Sequence, residues 1–219
     1  MIPDWRPERQ RMVDRQLRKR GIRDERVLNA MLAIPREEFV PLECRVCSYR
    51  DEPLQIGYGQ TISQPYMIAL MAELLKLTGA ETVLDVGGGS GYHAAVLGML
   101  AARVVSIELI PALARQAEQN LLRTGRASNI KVVCGDGSQG WPRDSPDELY
   151  DGISVAAGAP AVPAALIAQL NDPGRLVIPV GAMADQELRV IEKSGGRTEE
   201  RVATFCRFVP LRGDGGWRS

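Results

Sequence analysis

Four stretches of the 219-residue chain carry side chains in patterns that could do chemistry. The first is Gly87-Gly88-Gly89-Ser90-Gly91, directly after the apolar run Thr82 to Val86. Glycines so closely spaced let the backbone turn tightly and let a ligand come near it. The second is Glu108, with Leu109 beside it, at the end of the β-rich run Arg103 to Ile107. A carboxylate at a strand's carboxyl end can accept both hydrogen bonds from a ribose diol. Asp136, between Gly135 and Gly137 after the run Ile130 to Cys134, is the third. It reads as an adenine contact, although an Asx turn alone would also explain it. The fourth is Ser63, in DEPLQIGYGQTISQ (residues 51–64), just before Pro65. It stands at or just before a helix amino end, either as an N-cap or in an anion site. The N–H groups that want a cap would also accept a substrate carboxylate.

These groups need elements to hold them. Thr82 to Val86 reads as a strand buried on both faces, Ala94 to Leu100 as a helix, and Arg103 to Ile107 as a second strand. Strand, glycine loop, helix, strand and acid make a nucleotide-binding βαβ unit. The dinucleotide pattern needs a glycine at position 92, where Tyr92 stands; the third glycine comes one residue early, at Gly91. That spacing fits an S-adenosylmethionine loop better than an NAD loop. No obvious hydride-handling pair supports a dehydrogenase.

Upstream, Arg6 to Gly21 predicts a helix, and Asp24 caps a second over Val27, Leu28, Met31 and Leu32. Pro65 opens a third. Residues 51–64 show no clean period. Downstream, Pro111 to Thr124 predicts a helix ended by Gly125, and Ile130 to Cys134 and Tyr150 to Ala156 predict strands. Pro163 to Leu170 reads as a short helix and Pro173-Gly174 as a turn. Strands follow at Arg175 to Val180, Glu187 to Glu192 and Glu200 to Val209. The alternation from Thr82 onward predicts a sheet that is largely parallel in its first part.

Twenty-seven basic and twenty-seven acidic residues cancel, so no global field recruits nucleic acid or an anionic membrane. The basic amino-terminal helices lack the interleaved aromatics of an RNA-binding arm. No apolar run is long enough to span a membrane and the amino end is polar, so a cytoplasmic protein is expected. Cys44 and Cys47 make one C-x-x-C, but Cys134 and Cys206 stand alone and His93 is the single histidine. No metal site is expected, and the thiols read as free and mostly buried.

More particular segments are RGIRDERVLNAMLAIPREEFVP (residues 20–41), IGYGQTISQPYMIA (56–69), VLDVGGGSGYHAAVL (83–97), AAGAPAVPAALIAQL (156–170), GRLVIPVG (174–181) and RFVPL (207–211). With these, nearly the whole chain resembles the protein-L-isoaspartate (D-aspartate) O-methyltransferases. The resemblance implies an α/β, Rossmann-like, seven-stranded S-adenosylmethionine-dependent methyltransferase fold with an N-terminal helical extension. That is one domain over 1–219, with the extension at 1–80 and the core at 81–219. It implies S-adenosyl-L-methionine as cofactor and S-adenosyl-L-homocysteine as product. The substrates would be isoaspartyl (and D-aspartyl) residues of damaged proteins, methylated on the free α-carboxylate and repaired through a succinimide. A monomer without nucleic-acid or membrane partners is expected.

Residue by residue, the resemblance makes Ser63 and Asp85 the catalytic pair, with Asp85 acting electrostatically. Thr61, Ile62, Ser63, Gly87, Gly89, Ser90 and Gly91 would bind the cofactor, as would Glu108 and Leu109 at the ribose and Asp136 and Gly137 at the adenine. Ile56, Gly57, Ser63, Val209 and Leu211 would line the peptide cleft. Three positions depart from the family's pattern. His93 stands where bacterial members commonly have Gln. Gly88 replaces a Thr or Ser, which should loosen the loop, and Arg212 replaces a frequent Thr. An RNA or small-molecule methyltransferase, or a module that binds S-adenosylmethionine without transfer, is the competing reading.

Overall fold

The computed structural model describes residues 3–142 and 149–217. Seven strands form one sheet in the order β5-β4-β3-β6-β7-β8-β9: β3 (Thr82–Val86), β4 (Arg103–Glu108), β5 (Ile130–Cys134), β6 (Tyr150–Val155), β7 (Leu170–Gly181), β8 (Gln186–Ser194) and β9 (Arg197–Cys206). The pairs β3–β4, β4–β5, β3–β6 and β6–β7 are parallel; β7–β8 and β8–β9 are antiparallel. Strand order therefore reverses at β3, which pairs with β4 on one side and β6 on the other.

Period-two side chains divide the core. Val83 and Val104 point to one face; Leu84, Val86, Val105 and Ile107 point to the other. The first face is covered by α3 (Pro65–Leu74), α4 (Tyr92–Gly98) and α5 (Pro111–Arg123), and by the amino-terminal helices α1 (Arg6–Met12) and α2 (Glu25–Ala33). Met12, Leu17, Leu28 and Met31 share one apolar cluster with Val83 and Val104, so the extension is packed into the core of that face. Each such buried aliphatic side chain contributes about 1.5–3 kcal/mol. On the other face, α6 (Ala164–Ala168) sets Leu166 against Ile153 and Leu176.

Asp24 caps α2 by accepting from the Arg26 N–H, as its position predicts. The run from Arg6 ends at Gly21, but after Met12 it widens to a π-turn (Val13–Leu17) and then tightens to a 3-10 turn (Arg18–Arg20). Pro173-Gly174 is no separate turn. It lies inside β7, which starts at Leu170, and the irregularity is taken up by a register shift opposite Tyr150 and Gly152. Residues 51–64 contain a small hairpin, β1 (Leu54–Gly57) and β2 (Gln60–Ile62), whose turn puts Gly57, Tyr58 and Gly59 at positive φ. Strands of four and three residues are too short for alternation to register in sequence.

The cysteines are not mostly buried: Cys134 is exposed, and Cys44, Cys47 and Cys206 are half-buried and free. No His/Cys/Asp/Glu cluster able to hold a metal occurs among the described residues. No helix among them is long and apolar enough to cross a membrane.

Candidate active site

A cleft opens at the carboxyl ends of the parallel strands, where their order reverses. Gly87 and Gly89 follow β3, Glu108 and Leu109 follow β4, and Gly137 follows β5. Ala156 and Ala157 follow β6. Thr61, from β2, and the segment Val209 to Arg212 close the cleft from outside the parallel strands.

The glycine loop is folded by its own backbone. Gly87 and Gly88 both donate to the Ile107 carbonyl (2.9 and 3.0 Å), and Gly91 donates to Gly88 (2.8 Å). Gly91 takes φ 86° at the start of α4, a conformation costly for any side chain. A Cβ at Gly88 would come within 2.4 Å of Ser106 Oγ. The missing Thr or Ser therefore does not loosen the loop. Ser106 fills that space and donates to Asp85 Oδ2 (2.8 Å).

Glu108 is buried and oriented by two backbone donors: Gly89 N–H to Oε2 (2.8 Å) and Ile110 N–H to Oε1 (2.9 Å). Each oxygen keeps a lone pair, and the residue lines the cleft. Two free acceptor sites on one fixed carboxylate suit a ribose diol. Asp136 is tied to its own surroundings. It accepts from the Ser138 N–H (2.9 Å), Ser138 Oγ (2.6 Å) and the Asp214 N–H (2.8 Å). Burial acts against its charge, yet the bonds from Ser138 and Asp214 outweigh it and hold the carboxyl below the usual carboxylate range. The carboxylate thus anchors the carboxyl-terminal turn, while its neighbour Gly137 reaches the cleft.

Beyond Thr61 the cleft continues into a small cavity and a wider groove. Thr61 and Ala156 line all three spaces. Ser63 lines both extensions, and its hydroxyl makes no hydrogen bond among the described residues. It is not the N-cap of α3; Gln64 is, with no side-chain cap bond. The groove also carries Tyr66, Phe205, Arg207 and Val209.

Asp85 lies apart. It is fully buried, lines none of these three spaces, and sits 3.2 Å from His93 Nδ1 in an alignment too poor for a hydrogen bond. His93, itself buried, lines the small cavity.

This is the crevice of a methyltransferase-type sheet with an added wall, and the comparisons say which. The family model described as protein-L-isoaspartate(D-aspartate) O-methyltransferase matches residues 8–215. The chain belongs to that family. It is 56% identical over 211 residues to protein-L-isoaspartate O-methyltransferase 2 of Marinobacter nauticus, covering 95% of this chain and 94% of the relative. It is 50% identical to the Methanoregula boonei protein-L-isoaspartate O-methyltransferase, covering 97% and 96%. A solved protein-L-isoaspartate O-methyltransferase superposes with a TM-score of 0.82 at 32% identity, over 95% of this chain and 67% of that one. A Plasmodium falciparum structure, described as a beta-aspartate methyltransferase in complex with S-adenosyl-L-homocysteine, gives 0.77 at 28% identity, over 92% and 96%.

Set against the family's pattern, Thr61, Gly87, Gly89, Glu108, Leu109 and Gly137 come together on the cleft, joined by Val209 and Leu211. Ile62, Ser63 and Ser90 line the small cavity. Gly91 shapes the loop from behind, with Ala117 3.2 Å from where its Cβ would stand. Ile56 is buried, 3.3 Å from the Cβ position of Gly89, and so braces the loop; Gly57 serves the hairpin turn. Ala156, Ala157 and Pro210 were not singled out from sequence, although a small-residue run after a buried strand is a usable signal. Arg36, whose Nη2 donates to the Ser63 carbonyl (2.8 Å), gave no such signal.

Proposed function

We propose that this chain transfers a methyl group from S-adenosyl-L-methionine to the free α-carboxylate of L-isoaspartyl and D-aspartyl residues in damaged proteins and peptides. The observation that carries the reading is the junction at Thr61 and Ala156. There the cofactor-type cleft meets the groove that holds the unbonded Ser63 hydroxyl. The cofactor fits what is present: Glu108 offers two oriented acceptor sites, and glycines leave its neighbourhood open. When bound, it supplies a methyl group on a positively charged sulfur.

The remaining work falls to positioning. An α-carboxyl group has a pKa of roughly 3.5, so the acceptor is ionised at pH 7 and needs no general base. The Ser63 hydroxyl is a donor for that carboxylate. The Tyr66 N–H, at the second position of α3, has no intrahelical acceptor and adds a donor on the same wall. Asp85 contributes through space as a buried acid beneath the loop, without touching the acceptor. The methyl ester then closes to a succinimide, releasing methanol. Water reopens the ring in part to normal aspartate, which completes the repair.

We read the setting as cytoplasmic, which suits four free thiols, and the working unit as a monomer with no nucleic-acid or membrane partner. The deciding experiment is a methyl-transfer assay on an isoaspartyl peptide beside its normal aspartyl twin. Label on the first alone supports the reading. Cofactor binding without labelled product would make the chain a binding module.

A further inference from the structure

Arg36 is wholly buried, yet no carboxylate among the described residues lies within ion-pairing distance of it; Asp51, itself paired with Arg20, acts on it only through space. Its partners are carbonyls of two separate segments. Nε donates to Ser48 O (2.7 Å) and Nη2 donates to Ser63 O (2.8 Å), while the guanidinium lies 5.0 Å from the centre of the Tyr92 ring. Burial pushes its pKa down to about 10, which leaves it charged at neutral pH. Its neighbour Glu37 is engaged elsewhere, by Arg9 (3.0 Å) and by Tyr49. A buried cation without a directly paired counter-ion is expensive. Two carbonyl dipoles and one ring face offset only part of that cost.

Where the charge sits gives it a use. Ser63 is the residue whose carbonyl Arg36 grips and which lines the groove with its hydroxyl unbonded. Tyr92 begins the helix that follows the glycine loop. We propose that Arg36 is a positioning residue for the methyl acceptor. It fixes the Ser63 backbone, and with it the direction of the hydroxyl. It also leaves a net positive charge behind the spot where the acceptor carboxylate sits. The substrate then supplies a close counter-charge that Asp51, acting at longer range, does not, and binding it relieves a cost built into the fold. The inference rests on the assignment of Ser63 to the acceptor, which Ser63→Ala tests separately.

The test uses Arg36→Met and Arg36→Lys in the full chain, with kcat and KM on an isoaspartyl peptide, S-adenosyl-L-homocysteine affinity by calorimetry, and the melting temperature. Arg36→Met should lose about 100-fold in kcat/KM, the scale of a misplaced catalytic contact, with cofactor affinity unchanged. Arg36→Lys should recover part of that loss, because it keeps the charge and loses only the fork. A lower melting temperature with kcat/KM intact in Arg36→Met would reduce Arg36 to a staple and overturn the proposal. Should Arg36→Met not fold, the Arg36 Nε–H resonance of the unaltered protein decides. It should shift on adding the isoaspartyl peptide with S-adenosyl-L-homocysteine, and not with the aspartyl twin; a resonance that stays put overturns the proposal. An enzyme that needs Ser63 but is indifferent to Arg36 defeats this inference alone. One indifferent to Ser63 defeats the acceptor assignment beneath it.

Discussion

The proposed cofactor wall and the proposed acceptor wall of the cleft are held by different kinds of bond. The first is made of strand ends: Gly87 and Gly88 hang from the Ile107 carbonyl, and Glu108 is set by the N–H groups of Gly89 and Ile110. Nearly every contact there is local to two adjacent parallel strands. The second is made of irregular chain held at long range. Arg36 grips Ser63, Gln64 donates to the Asp51 carbonyl (2.9 Å), and buried Gln186 bonds both backbone groups of Phe208. The Val209 carbonyl accepts from the Gly158 N–H, and the Leu211 N–H donates to the Gly158 carbonyl (2.8 Å each). A sheet presents its own loops without help, whereas a wall made of loops needs side chains that reach across the fold. Damage to the first wall should therefore show in cofactor affinity, and damage to the second in turnover.

The largest break in that contrast should come from Ser63→Ala. Turnover on an isoaspartyl peptide should fall about 100-fold, as on removing one donor to a reacting oxyanion, with cofactor affinity nearly untouched. Equal turnover would remove Ser63 from the mechanism. Glu108→Ala should do the reverse. Losing hydrogen bonds to a charged partner costs about 1.5–3 kcal/mol, or roughly 10- to 150-fold in cofactor dissociation constant by calorimetry. An unchanged constant would unseat the ribose assignment. Gly88→Ser should act on stability, because its Cβ meets Ser106 Oγ at 2.4 Å; overpacking of that kind costs about 1–3 kcal/mol. Pairing it with Ser106→Ala frees the space, and the double variant should melt above the single one. If it does not, the clash is not the cause.

The smallest effect belongs to acid. The Asp136 carboxyl is held below its unfolded value, so its grip on the Asp214 N–H is complete above the ordinary carboxylate range, about pH 4. That grip is lost as pH falls through the lowered value. Amide exchange at Asp214 and Gly215 should rise there, and in Asp136→Asn the pH dependence should vanish. Exchange that ignores both would free Asp136 for another role.

The cofactor wall was legible in sequence for the reason it is robust. A buried apolar run, glycines and an acid at a strand end are local patterns, and Gly87, Gly89 and Glu108 stand where that pattern puts them. On the acceptor wall Ser63 was legible from its place before a helix amino end, but the rest only through particular segments, GQTISQP and RFVPL, because neither β1–β2 nor residues 207–211 has a period to read. Two positions depend on partners distant in sequence. Set against the family's pattern, Gly88 reads as a loosened loop, because Ser106, which fills its space, is eighteen positions away. Asp136 reads as a ligand contact, because the turn it also anchors, at Asp214, is far along the chain. Arg36 was invisible because an arginine in a charged segment reads as solvated, and only packing puts it out of water.

Because Val209 to Arg212 seal a cleft whose other lining residues all lie at or before Ala157, translation order matters. A ribosome that has delivered β3 to β6 has made a nucleotide crevice lacking one side. An isoaspartyl segment finds no finished seat on such an intermediate. Nascent chains stalled before position 209 should therefore be catalytically silent, however well their sheet has formed.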